Sequence, residues 1–215
     1  MLYPELRAEV CAMNQELPKQ GLVVWSGGNV SGLVRDKGHV VIKPSGVPFE
    51  ALTPEAMVVT DTEGEVVEGD LKPSVDLGVH LYLYERRPDI AGICHTHAPY
   101  ATSFAALGEG VPMALTPIAH LLGQHVPCTR YAQPAFIDTG EAIMEALGNG
   151  GKAVLVKQHG PFTFGTSATE AVKLAVYLEE AAKTLAIART RGTPEPLSDE
   201  EIERCFKWFQ REYGQ

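Results

Sequence analysis

Residues 90–97 (IAGICHTH) and 153–159 (AVLVKQH) are two apolar, partly β-branched runs that each finish in histidine. Side chains two apart on a strand point the same way, so His95 and His97 leave the end of the first run on one face. His159 ends the second run, and Gly160 after it lets another backbone come close. A fold that gathers these three imidazoles must bring the two strand ends together. Three neutral nitrogen donors with one position open suit a catalytic zinc-type site, whereas a closed structural site takes four protein ligands. An HxH pair alone is as readily a buried polar pair satisfied by carbonyls; the third histidine favours the metal reading.

The rest of the chain supplies a frame for those strands. Leu6, Val10, Met13 and Leu17 form a helical stripe over residues 3–17, with Pro18 expected to end it. Residues 22–25 (LVVW) read as a strand leading into SGGNVSG, and 32–43 as a hairpin turning at Asp36-Lys37-Gly38. Residues 57–69 repeat that hairpin with a turn at Glu63-Gly64. Further helices are expected over 74–86, 100–107 and 139–147, and a short strand over 113–116. Ser167-Ala-Thr-Glu170 and Ser198-Asp-Glu-Glu201 are capping-box patterns that open two C-terminal helices, joined by the linker RTRGTPEPL. Hairpins mixed with strand–helix crossovers predict an α/β fold in three layers, helices covering both faces of a mixed, largely antiparallel sheet. One domain over 1–215 suits the length, and the last helix, 198–213, could pack on its own domain or reach a neighbouring subunit.

Bulk properties exclude several function classes. A net charge of −9 argues against a nucleic-acid surface, which needs a basic stripe. No apolar run approaches the roughly 18 residues of a membrane helix, and the N-terminus lacks a secretory pattern. The four cysteines, Cys11, Cys94, Cys128 and Cys205, are scattered, which predicts a reduced, cytoplasmic protein.

Three turns could capture a phosphate despite the negative net charge: Ser26-Gly27-Gly28-Asn29, Lys43-Pro44-Ser45-Gly46 and Lys72-Pro73-Ser74. Each offers backbone N–H groups or hydroxyls, and a helix N-terminus follows Ser74. Taken singly each is an ordinary turn; repeated beside a metal site they suggest a phosphorylated substrate. Asp76 could complete the coordination, orient a ligand or act as a base, or be a plain helix-start acid. His80 shares its helical face and reads as structural. His120 has an intrinsic pKa near 6.5, suited to proton transfer. Tyr213 reads as the continuation of the last helix's apolar stripe.

The stretches GGNVSG, VVIKPSGV, MVV, GEVVEG, KPSVD, HLYLY, ICHTHAPYAT, PCTR, QHGPF and the terminal Glu-Tyr-Gly-Gln resemble the class II aldolase/adducin-head family, most closely its L-ribulose-5-phosphate 4-epimerase branch. The resemblance implies a three-layer fold, a fourfold-symmetric homotetramer with sites between subunits, and a phosphorylated ketose as substrate. It implies a divalent metal, usually zinc with manganese or cobalt as alternatives, on His95, His97 and His159 with Asp76 beside it. Asn29, Ser45, Gly46 and Ser74 fall on the family's phosphate site. Tyr213 falls on the epimerases' catalytic tyrosine, contributed across a subunit boundary. The expected activity is retro-aldol and aldol chemistry, with His120 and Tyr213 as acid and base on opposite sides. An L-fuculose-1-phosphate-type aldolase is the alternative, and a non-catalytic adducin-head-like binding module is an alternative of another class. The chain departs from the epimerase pattern twice: His120 stands where those enzymes have aspartate, and Val75 where they have a second serine. Asp76 stands where the aldolases usually have glutamate.

Overall fold

A computed structural model describes residues 1–148 and 150–213; the last two residues of the terminal Glu-Tyr-Gly-Gln match lie outside them. Their strands are β1 (Asn29–Val34), β2 (His39–Ile42), β3 (Val58–Thr60), β4 (Val66–Glu68), β5 (Gly92–His95), β6 (Ala153–Val156) and β7 (Gly160–Gly165). They form a single sheet in the order β4-β3-β2-β1-β5-β7-β6. Every neighbouring pair is antiparallel. The expected mixture of directions reduces to one isolated parallel bridge, Cys128 to Leu155. The reason lies in residues 160–165: GPFTFG forms β7, a strand not among those expected, which pairs antiparallel with both β5 and β6 and separates them.

The helices are α1 (Pro4–Lys19), α2 (Leu77–Arg86), α3 (Pro99–Leu107), α4 (Thr116–Leu122), α5 (Ile137–Leu147), α6 (Ala168–Arg189) and α7 (Asp199–Glu212). Strand alternation sorts the apolar side chains into two cores. Val30, Val41, Val59, Cys94 and Leu155 meet α1, α3 and α6. Val40, Ile42, Val58, Ile93, Val154, Phe162 and Phe164 meet α2 and α5. Helices on both faces of the sheet explain why β2 and β5 within it, and β6 at its edge, carry continuous apolar runs. The result is the three-layer α/β/α arrangement. None of the described helices is long and apolar enough to cross a membrane.

Local expectations fare unevenly. Both hairpins form at their turns. Ser198 and Glu201 make a complete capping box, whereas only the Ser167 half of the other forms, because Glu170 instead holds Thr166 and Lys152. Pro18 lies inside the last turn of α1, which runs on to Lys19. Residues 22–25 are not a strand but a bend that leaves Val24 and Trp25 exposed. Residues 113–116 are not a strand either: Leu115 is extended, and Pro117 sits in the first turn of α4, where its missing N–H costs nothing.

Candidate metal and substrate cavity

The end of β5 builds the centre of the site. His95 lies across from Asn29 on β1 and from Phe162 on β7. Its ring stacks on Phe162 at 4.2 Å, and its Nδ1 lies 3.1 Å from the Pro161 carbonyl. That carbonyl can only accept, so Nδ1 carries the hydrogen and the lone pair is on Nε2. His97 lies just past the strand, its N–H donating to the Leu22 carbonyl over 3.2 Å. His159 comes from the tight β6–β7 turn, in which Gln158 adopts the left-handed region at φ 59°. A Cβ at Gly160 would stand 2.3 Å from the Thr96 carbonyl, so only glycine lets this turn close on the β5 end.

The ligand-capable atoms of the three rings lie within 4.8 Å of one another, with 3.0 Å between Nε2 of His95 and of His159. Nitrogens bound at about 2.0–2.1 Å to one tetrahedral ion are roughly 3.3 Å apart, so the donor set fits a zinc-sized cation. Desolvation lowers the pKa of all three. His95 is held well below the usual histidine range, with His159 and His97 adding repulsion. His97, though its side chain is exposed, is lowered chiefly by partial desolvation, against the pull of Asp76. His159 is lowered by burial and by His97, again opposed by Asp76. The rings are therefore neutral donors at neutral pH, the form a metal requires.

These histidines line one wall of a cavity of ≈ 350 Å³ that also takes in Ser26, Gly27, Gly28, Asn29, Lys43, Ser45, Gly46, Ser74, Val75 and Asp76. The two Lys-Pro-Ser turns meet there because they pair like strands: Ser45 N–H donates to Lys72 and Ser74 N–H to Lys43, either side of a Pro44–Pro73 bridge. Asp76 begins α2 but does not cap it. Its Oδ2 instead accepts from Asn29 Nδ2 at 2.7 Å, so the helix-start reading does not account for this carboxylate. It lines the cavity but stands outside the tight histidine cluster. His80 is structural in its contacts: it is buried, bonded at Nδ1 to Ser31, and its pKa falls to about 4, mainly through burial.

Lys43 is the residue that sequence reasoning valued too little. It is 2% exposed, its Nζ hydrogen-bonds, among the described residues, only the Ser26 and Pro44 carbonyls at 3.3 Å, and it lies over the Phe49 ring. Burial lowers its pKa. A cation buried beside serines with no carboxylate partner was signalled by its place in the Lys-Pro-Ser-Gly turn. Pro134 and Ala135, the latter at φ 64°, also line the cavity and carried no signal. A larger cavity of ≈ 570 Å³ lies beside α2 and the hairpins; none of the clustered histidines lines it.

His120 and Tyr213 are not brought to this cavity within the chain. His120, on α4, stacks on Phe209 of α7 at 5.3 Å and leans on Trp208 at 5.5 Å. Tyr213, just past α7, stacks on the same Phe209 at 4.3 Å and is 63% exposed.

Comparison with known proteins gives consistent results. Residues 8–186 match the model of the class II aldolase and adducin N-terminal domain. A structure of an L-fuculose 1-phosphate aldolase is 32% identical, with a TM-score of 0.89 over 98% of both chains. YgbL from Klebsiella pneumoniae, named as a candidate aldolase/epimerase/decarboxylase, is 27% identical at a TM-score of 0.84, covering 95% of this chain and 99% of its own. An L-fuculose-1-phosphate aldolase from Thermus thermophilus is 28% identical at a TM-score of 0.75, covering 90% of this chain and 98% of its own.

Proposed function

The chain belongs to the class II aldolase and adducin N-terminal domain family, and from that premise we propose that it is a divalent-metal-dependent enzyme that breaks a carbon–carbon bond in a phosphorylated ketose. One observation carries the reading: three neutral histidines, a carboxylate and three hydroxyl- and amide-bearing turns line a single cavity. Bound on His95, His97 and His159, a zinc-type ion supplies Lewis acidity toward a carbonyl and the charge that develops on its oxygen.

The chain's own groups do the rest. Pro161 keeps the hydrogen of His95 on Nδ1 and so keeps its Nε2 lone pair free. Asp76, steadied by Asn29, is available to take a proton from a substrate hydroxyl or to serve as a further donor. Ser45, Gly46, Ser74 and the buried Lys43 receive the phosphate, whose two charges offset the desolvation of the lysine. Asn29 lines the same cavity, its side-chain Nδ2 engaged by Asp76. Anchoring the phosphate holds the substrate while its far end reacts.

Aldol cleavage without epimerisation is the first reading. Epimerisation needs an acid and a base on opposite sides of a rotating aldehyde, and His120 and Tyr213 share one ring stack away from the cavity of their own chain. Each would have to serve the cavity of a neighbouring copy, as in the fourfold homotetramer that the family resemblance implies; the 63% exposure of Tyr213 supports that for its phenol. The 4-epimerase reading stands second, favoured by the short Asp76 carboxylate. The four free cysteines support a cytoplasmic setting. Metal-replete protein incubated with L-fuculose 1-phosphate and with L-ribulose 5-phosphate tests both readings. Release of dihydroxyacetone phosphate from the first supports the aldolase, and D-xylulose 5-phosphate from the second supports the epimerase. Metal-bound protein that turns over neither, nor any other ketose phosphate, removes the enzyme reading and leaves a binding module.

A further inference from the structure

The last helix is seated almost entirely by apolar and aromatic contacts. Ile202 enters the core, Phe206 lies over Gly123, where an added Cβ would stand 2.8 Å from its ring, and Phe209 lies against His120. The planes of His120 and Phe209 differ by 11°, and those of Phe209 and Tyr213 by 18°. Three rings thus run in near-parallel series from α4 to the end of α7. His120 is half-buried, and its neighbours here are aromatic rings, Phe209 face to face and Trp208 tilted by 46°. A general acid or base must reach the proton it moves, within about 3.2 Å or through one water. A ring held flat between helices is suited to another task.

We propose that His120 is a positioning residue: through the Phe209 ring it fixes the end of α7 and with it the Tyr213 phenol. The inference rests on the second reading above, the epimerase in which Tyr213 serves the cavity of a neighbouring copy. It explains how histidine can stand where the epimerases have an acid/base aspartate without supplying the proton itself. The chemistry requires a flat aromatic surface at position 120, not a titrating group.

A double-mutant cycle with metal-replete enzyme separates these roles. Y213F is expected to lower kcat at least about tenfold, the low side of a lost acid–base group. H120A should lower kcat by roughly tenfold, the scale of a lost aromatic contact, with KM within about twofold. H120A/Y213F should be no slower than Y213F alone, and H120F, which keeps a ring without nitrogens, should recover most of the H120A loss with an unchanged pH profile. Additive losses, or an H120F as slow as H120A with one limb of the pH profile gone, overturn the proposal and make His120 the proton carrier. A Y213F at the wild-type rate instead removes Tyr213 from the reaction, a failure of the underlying reading. One readout needs no turnover: in a W25F background Trp208 is the sole tryptophan, and its emission should shift in H120A and not in H120F. Unchanged emission in H120A overturns the seating of α7 by His120.

Discussion

His95 and His120 each lie face to face on a phenylalanine, Phe162 at 4.2 Å and Phe209 at 5.3 Å, yet the two contacts do different things. His95 stands on a central strand, 1% exposed, with one nitrogen committed to the Pro161 carbonyl and the other turned to His159. Backbone pairing on both sides fixes where its lone pair points. His120 stands on a seven-residue helix at the edge, and what its ring fixes is another ring. Precision is concentrated where strands set it, and the helical edge is adjustable. The same residue type therefore reads as a ligand in one place and as a prop in the other.

Removing a histidine from each region is the sharpest way to test that contrast. H97A should abolish stoichiometric metal by elemental analysis and lower kcat/KM by about 10³-fold or more, since Lewis-acid stabilisation amounts to several kcal/mol. Its far-UV circular dichroism should stay native, because His97 lies beyond the last paired residue of β5. A metal-free H97A that still turned over would break the comparison at its root, since the cavity would then need no ligand cluster.

The glycine in the β6–β7 turn tests how rigid the strand-built region is. Gly160 approaches Thr96 so closely that an alanine Cβ would meet its carbonyl at 2.3 Å, backbone against backbone. G160A should cost about 2–4 kcal/mol in urea unfolding and loosen metal binding, as expected where a packed backbone has to move. Gly192, with no atom within 4 Å of its built Cβ, is the control, and G192A should be neutral. Equal stability of the two variants would mean that the turn can shift, and that the histidine spacing is not fixed by the strands.

Much of this was legible in the sequence because it is local. The Asp36–Gly38 and Glu63-Gly64 turns and the Ser198 cap are decided by residues within a few positions of one another. The HxH spacing likewise carries its own geometry, given that 92–95 is a strand. What was not legible depends on distant partners. Residues 160–165, with two glycines and a proline, look like a turn until β5 and β6 flank them. Residues 113–116 look like a short strand, but the isolated bridge beside them joins Val111 to Val126, and Thr116-Pro117 starts a helix instead. The two Lys-Pro-Ser turns could be suspected of a common purpose, but not of lying side by side through Pro44 and Pro73. His120 was read by its titration range, whereas its packing on Phe209 is a tertiary fact.

Lys43 extends the comparison from donors to charge. Arg7, on α1, is equally buried but is matched by Glu68 and by carbonyls, so its charge is committed to structure. Among the described residues Lys43 has two long carbonyl contacts and a ring. K43M should raise KM for a phosphorylated substrate about 10- to 100-fold, the range for a charge-assisted hydrogen bond, while leaving the melting temperature unchanged or higher. A K43M that keeps its KM but melts well below the wild type would put Lys43 in the same structural class as Arg7.

The smallest effect is set by protons. His80, His95, His97 and His159 all have pKa values lowered by desolvation, His80 to about 4. An unfolded histidine titrates near 6.5, so below that pH the unfolded chain binds protons that the folded, metal-free chain does not accept. Stability then rises with pH across this window: it should be complete above about 6.5 and should decline steadily as the pH falls towards 4. Melting the metal-free protein between pH 7.5 and 5, above the range of ordinary carboxylates, isolates these groups, and the expected slope is a loss of a few degrees. Bound metal should steepen it, since protons and the cation compete for the same lone pairs. H97A should flatten it, because it removes one of the rings whose pKa is lowered in the folded chain. A flat profile in the wild type would mean that the cavity opens to water in the metal-free state, and that its precision depends on the ion rather than on the strands.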